Sequence, residues 1–333
     1  MRLMVLALLC GCNASNDGKD TDQKPEKEVD DGWPTHVFTA YNISEEDGTD
    51  SRLAACAGKL AYQTWEYEGD AELTLLLTPG RTEYTDKYHH VVRQLVEDME
   101  LPWDVVIWDP YGQGRSDGIR AHINNWDNGF VCGLDTIIHT TVDRGTPLAL
   151  VSHSMGGLIT TRWLQQNPGE VVAAVFSAPL MRILYPGFTE AGVCIVAAGG
   201  LPAIPTDPFE QRPECSDPLQ DLTHDCDQYE LFYRDPITEI GPQTWGWLSS
   251  ACGGLADMRT DAPAVTDDFL ILQAGIDKLV DSRGQDEMCD LINDNNGYCE
   301  ISLYPNDFHE IFQEVDREQA VEEAVAFIQE RVP

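Results

Sequence analysis

Short apolar runs alternate with longer amphipathic segments along most of the chain. Six apolar runs have the length of buried strands, at residues 73–77, 103–108, 148–151, 171–176, 269–273 and 300–304. Apolar residues at helical spacing predict four helices, at residues 86–99, 127–142, 158–166 and 316–329. Strands that alternate with helices form a mainly parallel sheet covered on both faces, so the pattern predicts an α/β fold.

Residues 180–263 interrupt this alternation. The segment is dense in Pro, Gly, Asp and Cys, and it contains Trp245 and Trp247 close together. An insertion of this length between two strands is typical of a cap over the strand ends, where open α/β sheets bind ligands. The two tryptophans either contact a substrate or pack inside this cap.

The first residues have a different character. Met1-Arg2, an apolar stretch at 3–9 and Cys10-Gly11-Cys12 resemble a bacterial lipoprotein signal with Cys12 as the lipidated residue. A plain signal peptide is the alternative, and the apolar stretch is too short to span a bilayer. Residues 13–32 have the composition of a flexible acidic tether, which leaves 33–333 as the folded domain. We therefore expect an extracytoplasmic protein of the cell envelope, anchored to a membrane by lipid.

Charge and cysteine content refine this expectation. The 333 residues include 57 acidic and 21 basic side chains, a net charge of −36 that repels nucleic acid. With Cys10 and Cys12 in the signal, an even number of cysteines remains, which indicates disulfides in an exported protein. The local pairs Cys215 with Cys226 and Cys289 with Cys299 are the first candidates. No C-x-x-C pair suggests a metal site, and nothing indicates an oligomeric state.

The turn after the run at 148–151 carries a candidate nucleophile. Ser152-His153-Ser154-Met155-Gly156-Gly157 joins a predicted strand to a predicted helix, as in a nucleophile elbow. Ser154 is then the nucleophile. The usual motif has glycine where Ser152 stands, and an ordinary strand-to-helix turn is the alternative.

The acid and the base should follow the serine in that order. Asp277 comes just after the run at 269–273, and His309 lies in the loop after the run at 300–304. His224 also follows Ser154 but lies in the predicted cap. Other acids remain candidates for the same role: Asp281, Asp307, Asp257 and Asp261.

Hydrolysis of an ester also needs backbone amides that stabilise a developing oxyanion. One should be the amide of Met155, directly after the nucleophile. The other should come from the loop after the first central strand, where Arg81 follows Gly80.

Several spaced motifs resemble the bacterial lysophospholipase and monoacylglycerol lipase group of α/β hydrolases, also described as serine aminopeptidase-like. They are Pro79-Gly80-Arg81-Thr82-Glu83-Tyr84, Asp109-x-x-Gly112-Gln113-Gly114-Arg115-Ser116, His153-Ser154-Met155-Gly156-Gly157, Gln273-Ala274-Gly275-x-Asp277-x-x-Val280-Asp281 and His309-Glu310-Ile311. Within the cap, Gly241-Pro242-x-Thr244-Trp245-Gly246-Trp247 also matches.

The resemblance implies an α/β-hydrolase fold with a cap at about 180–263 and the triad Ser154, Asp277 and His309. It implies an oxyanion hole from Arg81 and Met155 and hydrolysis of a monoacyl lipid ester through an acyl-enzyme, without metal or cofactor. Possible substrate contacts are Glu83, Trp245 and Trp247. An aminopeptidase of the same fold and an inactive surface binding module are the alternatives.

Overall fold

The computed structural model of the protein describes residues 39–42, 58–142, 145–185, 187–207, 213–217, 220–233, 235–295 and 297–333. The predicted signal, its Cys12 and the predicted tether lie outside the described residues.

Within the described residues, one sheet of eight strands has the order β1-β2-β4-β3-β5-β6-β7-β8. The strands are β1 (Thr39–Asn42), β2 (Lys59–Trp65), β3 (Leu73–Thr78), β4 (Trp103–Trp108), β5 (Leu148–His153), β6 (Ala173–Ser177), β7 (Asp268–Ala274) and β8 (Tyr298–Tyr304). β3 to β8 pair in parallel, whereas β2 is antiparallel to both β1 and β4. The prediction of a mostly parallel sheet is confirmed, and each of the six predicted runs forms a strand.

Helices cover both faces of this sheet. They are α1 (His89–Arg93), α2 (Cys132–Thr141), α3 (Met155–Gln166), α4 (Glu190–Gly199), α5 (Cys226–Gln228), α6 (Trp245–Thr260), α7 (Arg283–Asp294) and α8 (Arg317–Gln329). Side chains alternate between faces along a strand. Leu75 of β3 lines the same small cavity as Val91 of α1 and Val321 of α8. The next residue, Leu76, belongs to the buried cluster that contains side chains of α2 and α3.

Two predicted helices are less regular than their periodicity suggests. The segment predicted at 86–99 is a 3-10 turn, α1 and a π-helical turn in succession: Thr85–Tyr88, His89–Arg93 and Gln94–Asp98. The segment predicted at 127–142 starts with a π-helical turn at Asp127–Val131 and continues as α2. The spacing of apolar residues predicts that a segment packs against the sheet. It does not distinguish α-helix from the closely related 3-10 and π helices. Other short helical turns lie at Tyr229–Tyr233, Pro236–Thr238, Ala262–Ala264 and Ile311–Gln313.

The segment predicted as a cap contains α4, α5 and α6. Thr189 and Thr244 cap the first turns of α4 and α6 by accepting hydrogen bonds from Gly192 N and Trp247 N. A disulfide between Cys194 and Cys252 joins the two helices. Trp247 packs edge-on against Trp126, and both belong to the main buried cluster. The cap therefore shares its core with the rest of the domain.

Two further disulfides lie in the described residues, Cys215 with Cys226 and Cys289 with Cys299. These are the two local pairs that the sequence suggested. The Cys194 pair was not predicted, because its partners are 58 residues apart in sequence. No described helix has both the length and the apolar composition that crossing a bilayer requires.

Candidate active site

Ser154 is the single residue that connects β5 to α3, because β5 ends at His153 and α3 begins at Met155. Its backbone has φ 49° and ψ −117°, a strained conformation for a residue with a side chain. A Cβ atom on Gly156 would lie 2.2 Å from the carbonyl oxygen of Thr78, so only glycine fits this close approach. This strained turn between a strand and a helix has the geometry of a nucleophile elbow.

Ser152, which replaces the usual glycine, lies in the regular part of β5. It pairs with Thr78 of β3 and Phe176 of β6 and is fully buried. The left-handed backbone conformation occurs at Ser154 and not at Ser152. Serine at this position therefore does not disturb the turn.

Ser154, His309 and Asp277 lie in contact at the carboxyl edge of the sheet. The Nε2 atom of His309 is 2.8 Å from Ser154 Oγ, and its Nδ1 atom is 2.7 Å from Asp277 Oδ2. Asp277 follows β7 and His309 follows β8, and these two strands are parallel neighbours. The structure thus brings together the three side chains that the sequence singled out.

The alternative acids do not take this place. Asp281 binds the guanidinium of Arg283, and Asp261 binds Arg162. Asp277 instead uses its second oxygen to accept the backbone amides of Leu279 and Val280 at 2.8 and 3.0 Å. These bonds fix the carboxylate that faces His309.

Electrostatics favours one tautomer of His309. Burial alone would raise the pKa of Asp277, but the adjacent imidazole and its hydrogen bond hold that pKa below its usual value. Burial alone would lower the pKa of His309, and the carboxylate of Asp277 raises it above its usual value. An ionised Asp277 keeps the neutral ring protonated on Nδ1, which leaves the lone pair of Nε2 directed at Ser154.

The two residues that should supply the oxyanion amides line the cavity at Ser154. Met155 is the first residue of α3, where backbone N–H groups have no partner inside the helix. Arg81 lies in the loop after β3, and both residues line the same cavity as Ser154. Gln113 holds this loop from both sides, since it accepts from Thr82 N at 2.7 Å and donates to Gly80 O at 3.0 Å.

Glu83 does not offer a free carboxylate to a substrate. Its oxygens accept hydrogen bonds from Gly80 N, Lys87 Nζ and Tyr88 OH, and the residue is almost fully buried. Glu83 lines the cavity and already accepts these three hydrogen bonds from the protein, so its contact with a substrate stays a prediction. The Glu83 carboxylate holds the loop of Arg81 through the hydrogen bond that it accepts from Gly80 N.

A cavity of about 360 Å³ opens onto Ser154 between the sheet edge and the cap. Its apolar lining includes Leu180, Ile183, Leu184, Trp247, Leu248 and Leu279. Trp245 is absent from the lining. Its ring packs against Gly200 so closely that a Cβ atom added there would lie 2.6 Å from the ring. Two positions along a helix turn through about 200°, so Trp245 and Trp247 face opposite sides. A substrate contact at Trp247 therefore stays a prediction, whereas Trp245, contrary to the prediction, does not line the cavity.

A buried polar cluster that was not predicted from the sequence lies behind His309, formed by Glu83, Lys87, His153 and Glu310. The ring of His153 packs against that of His309 with 4.8 Å between centroids, and burial lowers its pKa to about 4. The four-residue spacing of Glu83 and Lys87 was the available signal, since such pairs meet on one side of a helical turn.

Comparison with known proteins places this arrangement in a family. A family model described as "Serine aminopeptidase, S33" matches residues 69–316. Monoacylglycerol lipase of Mycolicibacterium smegmatis is 25% identical over 274 residues, which cover 81% of this chain and 92% of the relative. Lysophospholipase L2 of Escherichia coli is 30% identical over 236 residues, which cover 65% of this chain and 67% of the relative.

Solved structures share the fold. A soluble variant of monoglyceride lipase from Saccharomyces cerevisiae superposes with a TM-score of 0.70 at 17% identity, covering 90% of this chain and 96% of that structure. A carboxyl esterase from Bacillus coagulans gives a TM-score of 0.69 at 15% identity, covering 90% of this chain and 100% of that structure. The predicted α/β-hydrolase fold is confirmed, and the relatives support the predicted class of carboxylic ester hydrolase. Because the family model spans most of the chain, the protein belongs to the serine aminopeptidase family of α/β hydrolases.

Proposed function

We propose that the protein hydrolyses the carboxylic ester of a monoacyl lipid, a monoacylglycerol or a lysophospholipid, through an acyl-enzyme. The observation that carries this proposal is the 2.8 Å contact between His309 Nε2 and Ser154 Oγ at the wall of an apolar cavity. The names of the M. smegmatis and E. coli relatives support the substrate class.

The reaction follows from the positions of these atoms. His309 Nε2 takes the proton of Ser154 as Oγ attacks the ester carbonyl carbon, and Asp277 stabilises the imidazolium. The amides of Arg81 and Met155 donate to the oxyanion. Collapse of the tetrahedral intermediate transfers the proton to the leaving alcohol and leaves the acyl group on Ser154. Water activated by His309 then releases the fatty acid and restores the serine.

The cavity favours a single acyl chain. Its volume of about 360 Å³ lies at the lower end of the range for small-molecule sites, and leucine, isoleucine and tryptophan side chains form much of its wall. Leu184 and Leu279 lie at the wall and are also partly exposed, so the apolar lining continues to the surface. A lipid with one chain can enter by this route.

The acidic groups at the cavity favour an ester over a free amine. An aminopeptidase needs unpaired carboxylates for the amino terminus of its substrate. Here Glu83 and Glu310 both bind Lys87, and Asp221 binds Lys278. Among the described residues that line the cavity, each acid already has a cationic partner.

A hydrolysis profile tests the proposed function. Purified, oxidised protein is offered a monoacylglycerol, lysophosphatidylcholine and an aminoacyl amide, with Ser154→Ala as the control. We expect release of fatty acid from at least one lipid by the wild type only. Faster cleavage of the amide would favour the peptidase, and binding of lipid without turnover would favour an inactive binding module.

We also propose that the protein is extracytoplasmic and anchored to a membrane through Cys12. The disulfides of the described residues support an oxidising compartment. Metabolic labelling with a fatty acid should mark the wild type and not Cys12→Ala. An unlabelled wild-type protein recovered from the cytoplasm would refute the proposal.

A further inference from the structure

Lys87 lies between the two loops that complete the candidate active site. Its side chain is 6% exposed, and its Nζ atom is 2.7 Å from Glu83 Oε1 and 2.6 Å from Glu310 Oε1. Glu83 belongs to the loop that carries Arg81, and Glu310 is the residue directly after His309. One ammonium group therefore contacts both loops.

On the oxyanion side, the contact continues from Lys87 to the backbone. Glu83 Oε2 accepts from Gly80 N at 2.5 Å and from Tyr88 OH at 2.6 Å. Gly80 precedes Arg81, whose amide is the candidate oxyanion donor. The position of the Glu83 carboxylate thus fixes the peptide that leads into the oxyanion hole.

On the histidine side, Lys87 has a second connection. Gln313 Nε2 donates to Lys87 O at 3.3 Å, so the main chain of Lys87 also binds the segment after His309. His153 completes the cluster, with its Nε2 atom 3.4 Å from Glu83 Oε1 and its ring against His309. The imidazole of His309 therefore packs against a cluster that Lys87 contacts through Glu83.

The ammonium supplies the positive charge that this cluster requires. The ligand atoms of Glu83, His153 and Glu310 lie within 4.8 Å of one another, a spacing that could hold a small cation. Burial lowers the pKa of His153 to about 4, so its ring is neutral. Without Lys87, two buried carboxylates would face each other unpaired, which is strongly unfavourable.

We propose that Lys87 is a positioning residue for catalysis: its ammonium sets the separation between the oxyanion loop and His309 by bridging Glu83 and Glu310. This inference rests on the proposed function, because it concerns the same reaction. Lys87 does not line the cavity in the described structure, so it acts on the reacting atoms through its two partners.

Loss of the Lys87 bridge should affect kcat and KM differently. Displacing the oxyanion donors relative to His309 slows acylation, and a misplacement of about 1 Å can cost about a hundredfold in rate. The apolar wall that binds the acyl chain stays in place, so KM should change little. A residue needed only for folding would instead lower the amount of active protein without this separation.

The test compares three variants by steady-state kinetics on a soluble ester and by the rate of fluorophosphonate labelling. Lys87→Met removes the bridge. Lys87→Met/Glu310→Gln removes the bridge and also the charge of one of its two carboxylates, so that Glu83 no longer faces a second buried anion. The double variant therefore remains informative if the single variant does not fold. Arg162→Met is the matched control, because Arg162 is also a buried cation between two carboxylates, Asp127 and Asp261, and does not line the cavity.

We expect kcat and the labelling rate to fall about a hundredfold in the folded double variant, with KM nearly unchanged. Arg162→Met should lower thermal stability but keep kcat within about threefold of the wild type. Wild-type kcat in the double variant, or an equal loss in Arg162→Met, would overturn the inference. A wild-type protein that the probe does not label would instead overturn the proposed function.

Discussion

The backbone amide of Glu310 donates a hydrogen bond to the carbonyl oxygen of Leu222 at 2.9 Å, which joins the cap to the loop that carries His309. Thr223 Oγ1 donates to Gln313 O at 2.8 Å, and the ring of His224 stacks on Phe308 at 3.9 Å between centroids. The cap segment at residues 220–226 therefore holds the loop of the candidate base.

This contact predicts that the Cys215–Cys226 disulfide is needed for full activity, since Cys226 ends the cap segment that holds the loop. Replacing both cysteines by serine should lower kcat/KM about tenfold, a loss of about 1.4 kcal/mol in transition-state stabilisation. The measurement is ester hydrolysis together with thermal unfolding.

The Cys289–Cys299 pair is the matched control for this experiment. It closes a loop of similar length, with a sequence separation of 10 against 11, but it joins α7 to β8. Its removal should cost a similar stability, about 2–4 kcal/mol, and leave kcat/KM close to wild type at a temperature where both variants are folded. Equal losses of activity in the two variants would contradict the role of the cap segment.

On the acid side, the pH dependence of kcat/KM should report the pKa of His309. The imidazole must be neutral to take the proton of Ser154, so kcat/KM rises as pH rises through the pKa of His309. Asp277 raises that pKa, and we expect the midpoint above the usual value of about 6.5. Titration of kcat/KM against pH measures it.

Asp277→Asn should change this profile in a defined direction. Loss of the carboxylate leaves burial as the main influence, which lowers the pKa of His309 and moves the midpoint to lower pH. The maximum rate should fall by a factor on the order of 10⁴, because the tautomer is no longer fixed. An unchanged midpoint would show that another group controls the acid limb.

Gly156 should tolerate no side chain. A Cβ atom there would lie 2.2 Å from Thr78 O and 2.7 Å from Pro79 O, both in rigid backbone next to the oxyanion loop. Gly156→Ala should destabilise the protein by about 1–3 kcal/mol and abolish probe labelling. Gly253→Ala in α6 is the control, since nothing lies within 4 Å of its added Cβ, and it should leave stability equal or higher. Chemical denaturation and labelling measure both effects.

Ser152→Ala should retain activity. The Oγ atom of Ser152 is buried without a hydrogen-bond partner among the described residues, so its removal should keep or raise stability by up to about 1 kcal/mol. The strained backbone belongs to Ser154, and kcat should stay close to wild type. A large loss of kcat in folded Ser152→Ala would mean that the hydroxyl takes part in the reaction.

The parallel core of the fold could be predicted because its strands are buried on both faces and appear as continuous apolar runs. β2 was missed because one end is exposed and polar residues such as Lys59 and Gln63 interrupt its pattern. The cap helices were missed for another reason: α6 contains Gly246, Gly253 and Gly254, which weaken a helix signal, and packing on Trp126 stabilises it instead.

The candidate triad could be located because strand ends fix where side chains meet. Asp277 and His309 both follow parallel strands, so their proximity did not require knowledge of the packing. The cluster around Lys87 depends on contacts between distant segments, at residues 83–87, 153 and 310. The spacing of Glu83 and Lys87 indicates only the contact of that pair, and neither spacing nor composition indicates the contacts with the other two segments. The same holds for the choice between Trp245 and Trp247, which the rotation of α6 decides.

The most direct test of the central claim is mass spectrometry of the protein after reaction with a fluorophosphonate. We predict one adduct on the folded wild type, located at Ser154, with none on Ser154→Ala and much slower labelling of His309→Ala. A wild type that carries no adduct under oxidised, folded conditions, or an adduct at another residue, would contradict the assignment of Ser154 as the nucleophile.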